Sequence, residues 1–236
     1  MVIKRKNLII ISVLIITALT FVFCFGALHR LNVKDADANS ITVVIDAGHG
    51  GIDNGVVGVK TGIKESELNL SITKKLQNIL LDAGINVVLT RNSNAGLYGV
   101  ATKNLKKKDM EKRKNIINSA NPTLVISVHM NKYSMSSRRG AQVFYKDGDE
   151  KSKAFAESVQ RQLNELSGSE RDFSALTGDY YILKCSSVPS IIAECGFLSN
   201  ENDEALLITE EYQKEVAYTI FKGIIEYLSM QSIRYF

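Results

Sequence analysis

The chain has 236 residues, 45% of them hydrophobic, with three histidines, three cysteines and a formal net charge of +4. That is enough apolar material for one ordinary domain plus an appendage, and it excludes a collagen-like or repeat-built chain, because no low-complexity tract and no fixed period occurs. Lysines scattered over solvated faces account for the charge, so it does not argue for a nucleic-acid partner.

The first thirty residues differ in kind from the rest. After Lys4, Arg5 and Lys6, residues 8–27 carry no charge, and Ser12, Thr17 and Thr20 are their only polar side chains. As a helix those residues would span about 30 Å, the depth of a hydrocarbon core. The cationic flank keeps the amino end in the cytoplasm. Residues 1–30 are therefore expected to form a signal-anchor or transmembrane segment, with everything beyond extracytoplasmic. Whether the segment is cut stays open, since Gly26 and Ala27 are small but no clear small-x-small site follows. The polar run "KDADANS" completes a tether over residues 31–40.

The folded domain is expected over residues 41–230. "ITVVID" reads as a buried strand and "ESELNLSITKKLQNILLDAG" as an amphipathic helix with Leu68, Ile72, Leu76, Ile79 and Leu80 on one face. "INVVLTR" reads as a second strand. Residues 92–108 show no periodicity and read as a lysine- and glycine-containing loop, a mobile edge for substrate or partner. "DMEKRKNIINSAN" is a helix, and "TLVISVHMN" a third strand after Pro122. "GAQVFY" is a fourth strand, "KSKAFAESVQRQLNEL" a helix, "YYILKCS" a short edge strand and "PSIIAECGFLSN" a strand ending in a turn. A terminal helix carries Val216, Ile220, Ile224 and Leu228. Strands alternating with helices of this length predict an α/β fold, a three-layer α/β/α sandwich on a mostly parallel sheet.

Sheets of that kind place ligands beyond the carboxyl ends of their strands. His49 follows "VVID", His129 ends "LVISVH", Glu194 ends "SIIAE", and Glu65 opens the helix entered from a glycine-rich loop. Two imidazoles and a carboxylate leave a fourth position of tetrahedral Zn²⁺ open for water, and a second carboxylate can take that water's proton. Each residue also has a plainer reading: a strand-end histidine commonly serves only in hydrogen bonding, and Glu65 suits a helix start through the dipole. Glu194 lies between "SIIA" and "CGF", where a buried acid demands a partner. "GHGGIDNG" lacks the lysine and Ser/Thr of a phosphate-binding loop. Cys185 and Cys195, the cysteines of the exported part, have no CxxC spacing, and the sequence leaves their pairing open.

These motifs together resemble the zinc-dependent N-acetylmuramoyl-L-alanine amidases of the type 3 class, over residues 41–228. The family's strand-Asp-x-Gly-His-Gly-Gly opening is present as Asp46 to Gly51, its metal glutamate as Glu65 in "ESELNL", its second histidine as His129 in "SVHMN", and its catalytic glutamate as Glu194 in "AECGFLSN". Ala47 stands where members often have proline, which implies a looser turn. Glu67 rivals Glu65, but two residues along a helix point about 200° apart, and alignment with the Asn-Leu pair selects Glu65.

The resemblance implies one Zn²⁺ per chain on His49, Glu65 and His129, with Glu194 as proton acceptor and donor. It puts Asn131 on the substrate face, matches Arg113 to a family arginine, and leaves Asp46 as a residue orienting a ligand; Arg113 also has the plainer reading of a buried arginine that anchors a strand end through carboxylates. The implied reaction is hydrolysis of the amide between N-acetylmuramic acid and L-alanine in peptidoglycan. The short, membrane-anchored architecture is similar to the CwlD-type, germination-specific members of spore formers, which act on spore cortex. General wall remodelling, a zinc peptidase and a catalytically inactive membrane-anchored regulator are the other readings of the same pattern. With about 190 residues beyond the tether, affinity for the polymer is expected from the groove, the anchor or an activating protein partner.

Overall fold

The computed structural model describes residues 41–167 and 172–233, side chains being described up to residue 231; the expected anchor and tether over residues 1–40 lie outside the described residues. Among the described residues no helix is long and apolar enough to cross a membrane.

In chain order the elements are β1 (Thr42–Ala47), α1 (Glu65–Asp82), β2 (Asn86–Leu89), α2 (Leu105–Ser119), β3 (Leu124–Asn131), β4 (Gln142–Tyr145), α3 (Glu150–Leu163), β5 (Leu176–Thr177), β6 (Ser190–Phe197), α4 (Glu201–Leu207) and α5 (Glu210–Ile233). The strands form one sheet in the order β2-β1-β3-β6-β4-β5. All neighbours are parallel except β4 and β6.

The central strands are apolar on both faces because both faces are covered. Val43, Ile45, Ile126, Val128, Ile191 and Ala193 point to one side, where they pack with Leu68, Ile72 and Leu76 of α1, Phe155 and Val159 of α3, and Ile220 and Ile224 of α5. Val44, Val125 and Ile192 point the other way, onto Ile117 of α2 and onto Ile182 and Leu183. The three-layer sandwich is thus heavier on one side, with three long helices against one. Cys185 and Cys195 are free and buried, and they sit in opposite layers, so the sheet separates them.

Three local expectations change. "YYILKCS" is no strand: Ile182–Lys184 make a single 3₁₀ turn, which lets the consecutive residues Ile182 and Leu183 both reach the core where a strand would alternate them. The edge strand is Leu176–Thr177, pairing parallel with β4. The loop expected over residues 92–108 ends at Asn104, which has left-handed φ of 55°, and α2 starts at Leu105. Three lysines in its first turns oppose the helix dipole, which is why the sequence hides that start. The terminal helix is preceded by the short α4, whose N-cap Asn200 accepts from the amides of Asn202 and Asp203.

Candidate metal centre

β1 and β3 run parallel in register, pairing Asp46 with Ser127 and Ala47 with Val128. β3 in turn pairs His129 with Glu194 of β6. The three strands therefore deliver their carboxyl ends to one rim, and α1 brings Glu65 to it from below. Glu65 is almost fully buried, whereas Glu67 keeps 43% of its side chain exposed.

Glu65 is the hub of the group. Its Oε1 lies 2.9 Å from Nδ1 of His129 and 3.2 Å from Nε2 of His49, and it also accepts from the Met130 amide and from Asn69 Nδ2. Oε2 accepts from the Val56 amide at 2.7 Å. Burial alone would raise this carboxyl, but the two imidazoles hold it well below the usual carboxylate range. The imidazoles meet edge to face with centroids 4.9 Å apart, and Nδ1 of His49 is 2.9 Å from Asp53 Oδ2. Two glycines make the convergence feasible. A Cβ on Gly48 would sit 2.2 Å from the His129 ring, and one on Gly55 would sit 2.3 Å from Glu65 Oε2 and 2.7 Å from the His49 ring.

His49 itself has φ of 60°, a left-handed conformation that a β-carbon disfavours. Buried polar groups hold it there. Arg113 donates to the carbonyls of Ala47 and His49 and forms ion pairs at 2.6 Å with Asp46 and Asp109. Asp46 accepts from Thr90, Ser127 and Arg113. Any orienting of His49 by Asp46 therefore runs through Arg113, which donates to both Asp46 and the His49 carbonyl. Burial would raise the Asp46 carboxyl, but Arg113 and the two hydroxyls bring it down from 3.8 to about 2.

The Asp46 carboxylate therefore stabilises the fold fully above pH 3.8, and that contribution is lost as the pH falls through about 2. Asp46→Asn should cost roughly 3–5 kcal/mol at neutral pH by leaving Arg113 buried without a full partner. Urea titrations should show the wild type losing stability between pH 4 and 2 and the variant showing a flatter profile there; equal midpoints at pH 7 would refute the pairing's importance.

Glu194 stands at the same rim. Its Oε2 is buried and has no hydrogen-bond partner among the described residues, and burial, with the nearby Glu65 charge adding and the two imidazoles opposing, pushes its carboxyl up to about 7. The rim opens into a cavity of about 1130 Å³ that contains His49, Glu65, His129 and Glu194 and is walled by Ile52, Val57, Tyr98, Tyr180 and Tyr181. Asn131 borders it too, its Oδ1 accepting from the Lys132 amide.

Sequence reading missed Asp53, Asn69 and Arg91 as parts of this assembly. An acid four residues after a histidine and an asparagine four after Glu65 were the available signals; Arg91, following a strand, carried none. The donor set fits a divalent metal. One donor atom from each of His49, Glu65 and His129 lies within 4.8 Å of the others, two imidazoles with one carboxylate make a zinc-type trio, and Glu194 faces the same space with an unsatisfied oxygen.

The sequence model of a family described as N-acetylmuramoyl-L-alanine amidase matches residues 43–226. Over 191 residues the chain is 32% identical to the germination-specific N-acetylmuramoyl-L-alanine amidase of Bacillus subtilis, covering 79% of each. It is likewise 32% identical over 188 residues to the N-acetylmuramoyl-L-alanine amidase LytC of Bacillus subtilis, covering 79% of this chain and 35% of that protein. Among solved structures, the CwlD amidase from Clostridioides difficile in complex with the GerS lipoprotein matches with a TM-score of 0.78 at 35% identity, over 81% of this chain and 100% of that one.

Proposed function

We propose that this chain, which belongs to the N-acetylmuramoyl-L-alanine amidase family, hydrolyses its peptidoglycan amide with one Zn²⁺ held by His49, Glu65 and His129 and with Glu194 as the proton-transfer group. The observation that carries this reading is the convergence of three donor side chains on one point beside a carboxyl whose Oε2 has no protein partner among the described residues.

Bound there, zinc supplies Lewis acidity to the scissile carbonyl and lowers the pKa of water to about 7. The chain's own groups do the rest. Glu194 takes the proton of the attacking water and returns it to the departing nitrogen of L-alanine. The carbonyl carbon gains the oxygen as its bond to nitrogen breaks, which leaves a lactyl carboxylate and a free stem peptide. Asp53, its Oδ2 2.9 Å from Nδ1 of His49, places a carboxylate beside that nitrogen and favours the ring orientation that turns Nε2 to the centre. Ile52, Val57, Tyr180 and Tyr181 wall the cavity with apolar surface, against which the polymer displaces water.

The substrate we assign is spore-cortex peptidoglycan, processed outside the cytoplasmic membrane with residues 1–30 as anchor. Its support is the likeness to the germination-specific relative and the apolar run over residues 8–27. The solved relative in complex with a lipoprotein supports an exported protein partner. Two comparisons test these assignments. Cortex peptidoglycan should be cleaved with higher kcat/KM than vegetative wall; the reverse order would favour general wall remodelling. The fragment from Ile41 onward should cleave purified peptidoglycan far below ~10 s⁻¹ and gain activity when a lipoprotein partner is added; efficient cleavage by the fragment alone would exclude the need for one.

A further inference from the structure

Arg91 follows β2 and is almost completely buried. Among the described residues its four hydrogen bonds all go to backbone carbonyls. Nε donates to Ala47 at 2.8 Å and Nη1 to Ser93 at 2.9 Å. Nη2 donates at 2.8 Å both to Gly48 and to Ser66. Gly48 immediately precedes His49, and Ser66 immediately follows Glu65. One nitrogen atom thus ties the backbone beside one metal-binding side chain to the backbone beside another.

Other links share parts of this span. Arg113 holds the His49 side through Ala47 and His49 but makes no bond to α1. Asn69 is the parallel link from within α1, its Nδ2 donating at 3.1 Å to the same Gly48 carbonyl and at 3.3 Å to Glu65 Oε1; Arg91 differs in reaching from outside the helix and in making shorter bonds, to backbone alone. A guanidinium suits this work because it is planar and always charged, with donors diverging at fixed angles; a lysine ammonium cannot reproduce that fork.

We infer that Arg91 is a positioning residue for the metal site, setting the separation of His49 from Glu65 by clamping Gly48 to the first turn of α1. The inference rests on the ligand assignment proposed above. Residues that support metal ligands without touching the metal typically change affinity by 10- to 100-fold when replaced, and that range is expected here. The side chain also borders a polar cavity of about 570 Å³ with Lys74, Gln77 and Asn78, so water can occupy the space of a shortened side chain and the fold can tolerate the change.

The test compares the full-length protein with Arg91→Lys, Arg91→Gln and Leu163→Ala. Leu163 is a buried residue of α3 in the helix-covered core, so its replacement lowers stability without touching the clamp. Zinc dissociation constants by chelator competition, below every variant's melting range, should rise 10- to 100-fold in both Arg91 variants and stay within twofold in Leu163→Ala. Cobalt substituted for zinc should show an altered visible absorption only in the Arg91 variants. Unchanged zinc affinity in Arg91→Lys and Arg91→Gln would overturn the clamp, as would an equal loss in Leu163→Ala. A wild type that holds no zinc would instead overturn the ligand assignment, and the clamp with it.

Discussion

Glu194→Gln is expected to lower turnover by about 10²- to 10⁴-fold while the protein keeps one zinc per chain. Glutamine preserves the shape of the side chain in a site that is nine-tenths buried, so the fold has little reason to change. What disappears is a group able to accept a proton and return it. In the proposed role the ionised form is the active one, and burial holds the carboxyl up to about 7. A bound dication would pull that value down, which places the acid limb of kcat/KM at or below pH 7. In Glu194→Gln this limb should vanish along with the rate. Near-wild-type turnover, or zinc lost together with activity, would remove Glu194 from the chemistry.

His129→Ala is expected to abolish stoichiometric zinc, and His49→Ala to do the same. Each removes one of the three proposed donors, and the third, Glu65, has its Oε2 already committed to the Val56 amide. The remaining two donors cannot close a stable site. The rival acid supplies the control. Glu67 is partly exposed and lies 4.0 Å from Lys64, so Glu67→Ala should keep its zinc while Glu65→Ala loses it. Elemental analysis of the purified variants decides this directly. One tightly held zinc in His129→Ala would show that the imidazole is no ligand.

The parts of the fold most legible in the sequence were those in which a single period runs long enough to be counted. The run of apolar positions from Leu68 to Leu80 on α1 and the continuous apolar strands of β1, β3 and β6 belong to this class. Short elements escaped because local packing sets them. Ile182 and Leu183 look like a strand by composition, yet both must reach the same buried cluster. Seven residues from Glu201 to Leu207 give too few turns for a periodic face. The converging side chains were legible for a different reason: they stand at strand and helix ends, and topology fixes where those ends go. Their supports were legible only in part: Asp46 and Arg113 stood out as residues, the latter as a strand-end anchor on carboxylates, but Arg91, Asn69 and Asp53 did not. Whether Arg91 meets Gly48 and Ser66, or Asp46 meets Arg113, depends on how β2 and α2 dock beside β1, and no pattern within either segment encodes that.

The chemistry of the bond broken can be read from its products. Peptidoglycan digested by the full-length protein with zinc, and analysed by mass spectrometry, should release free stem peptides with an unmodified L-alanine amino terminus, together with glycan strands carrying bare lactyl carboxylates. Peptides cut between amino acids, with muramic acid still joined to L-alanine, or no products at all from a zinc-loaded protein, would contradict the amidase assignment.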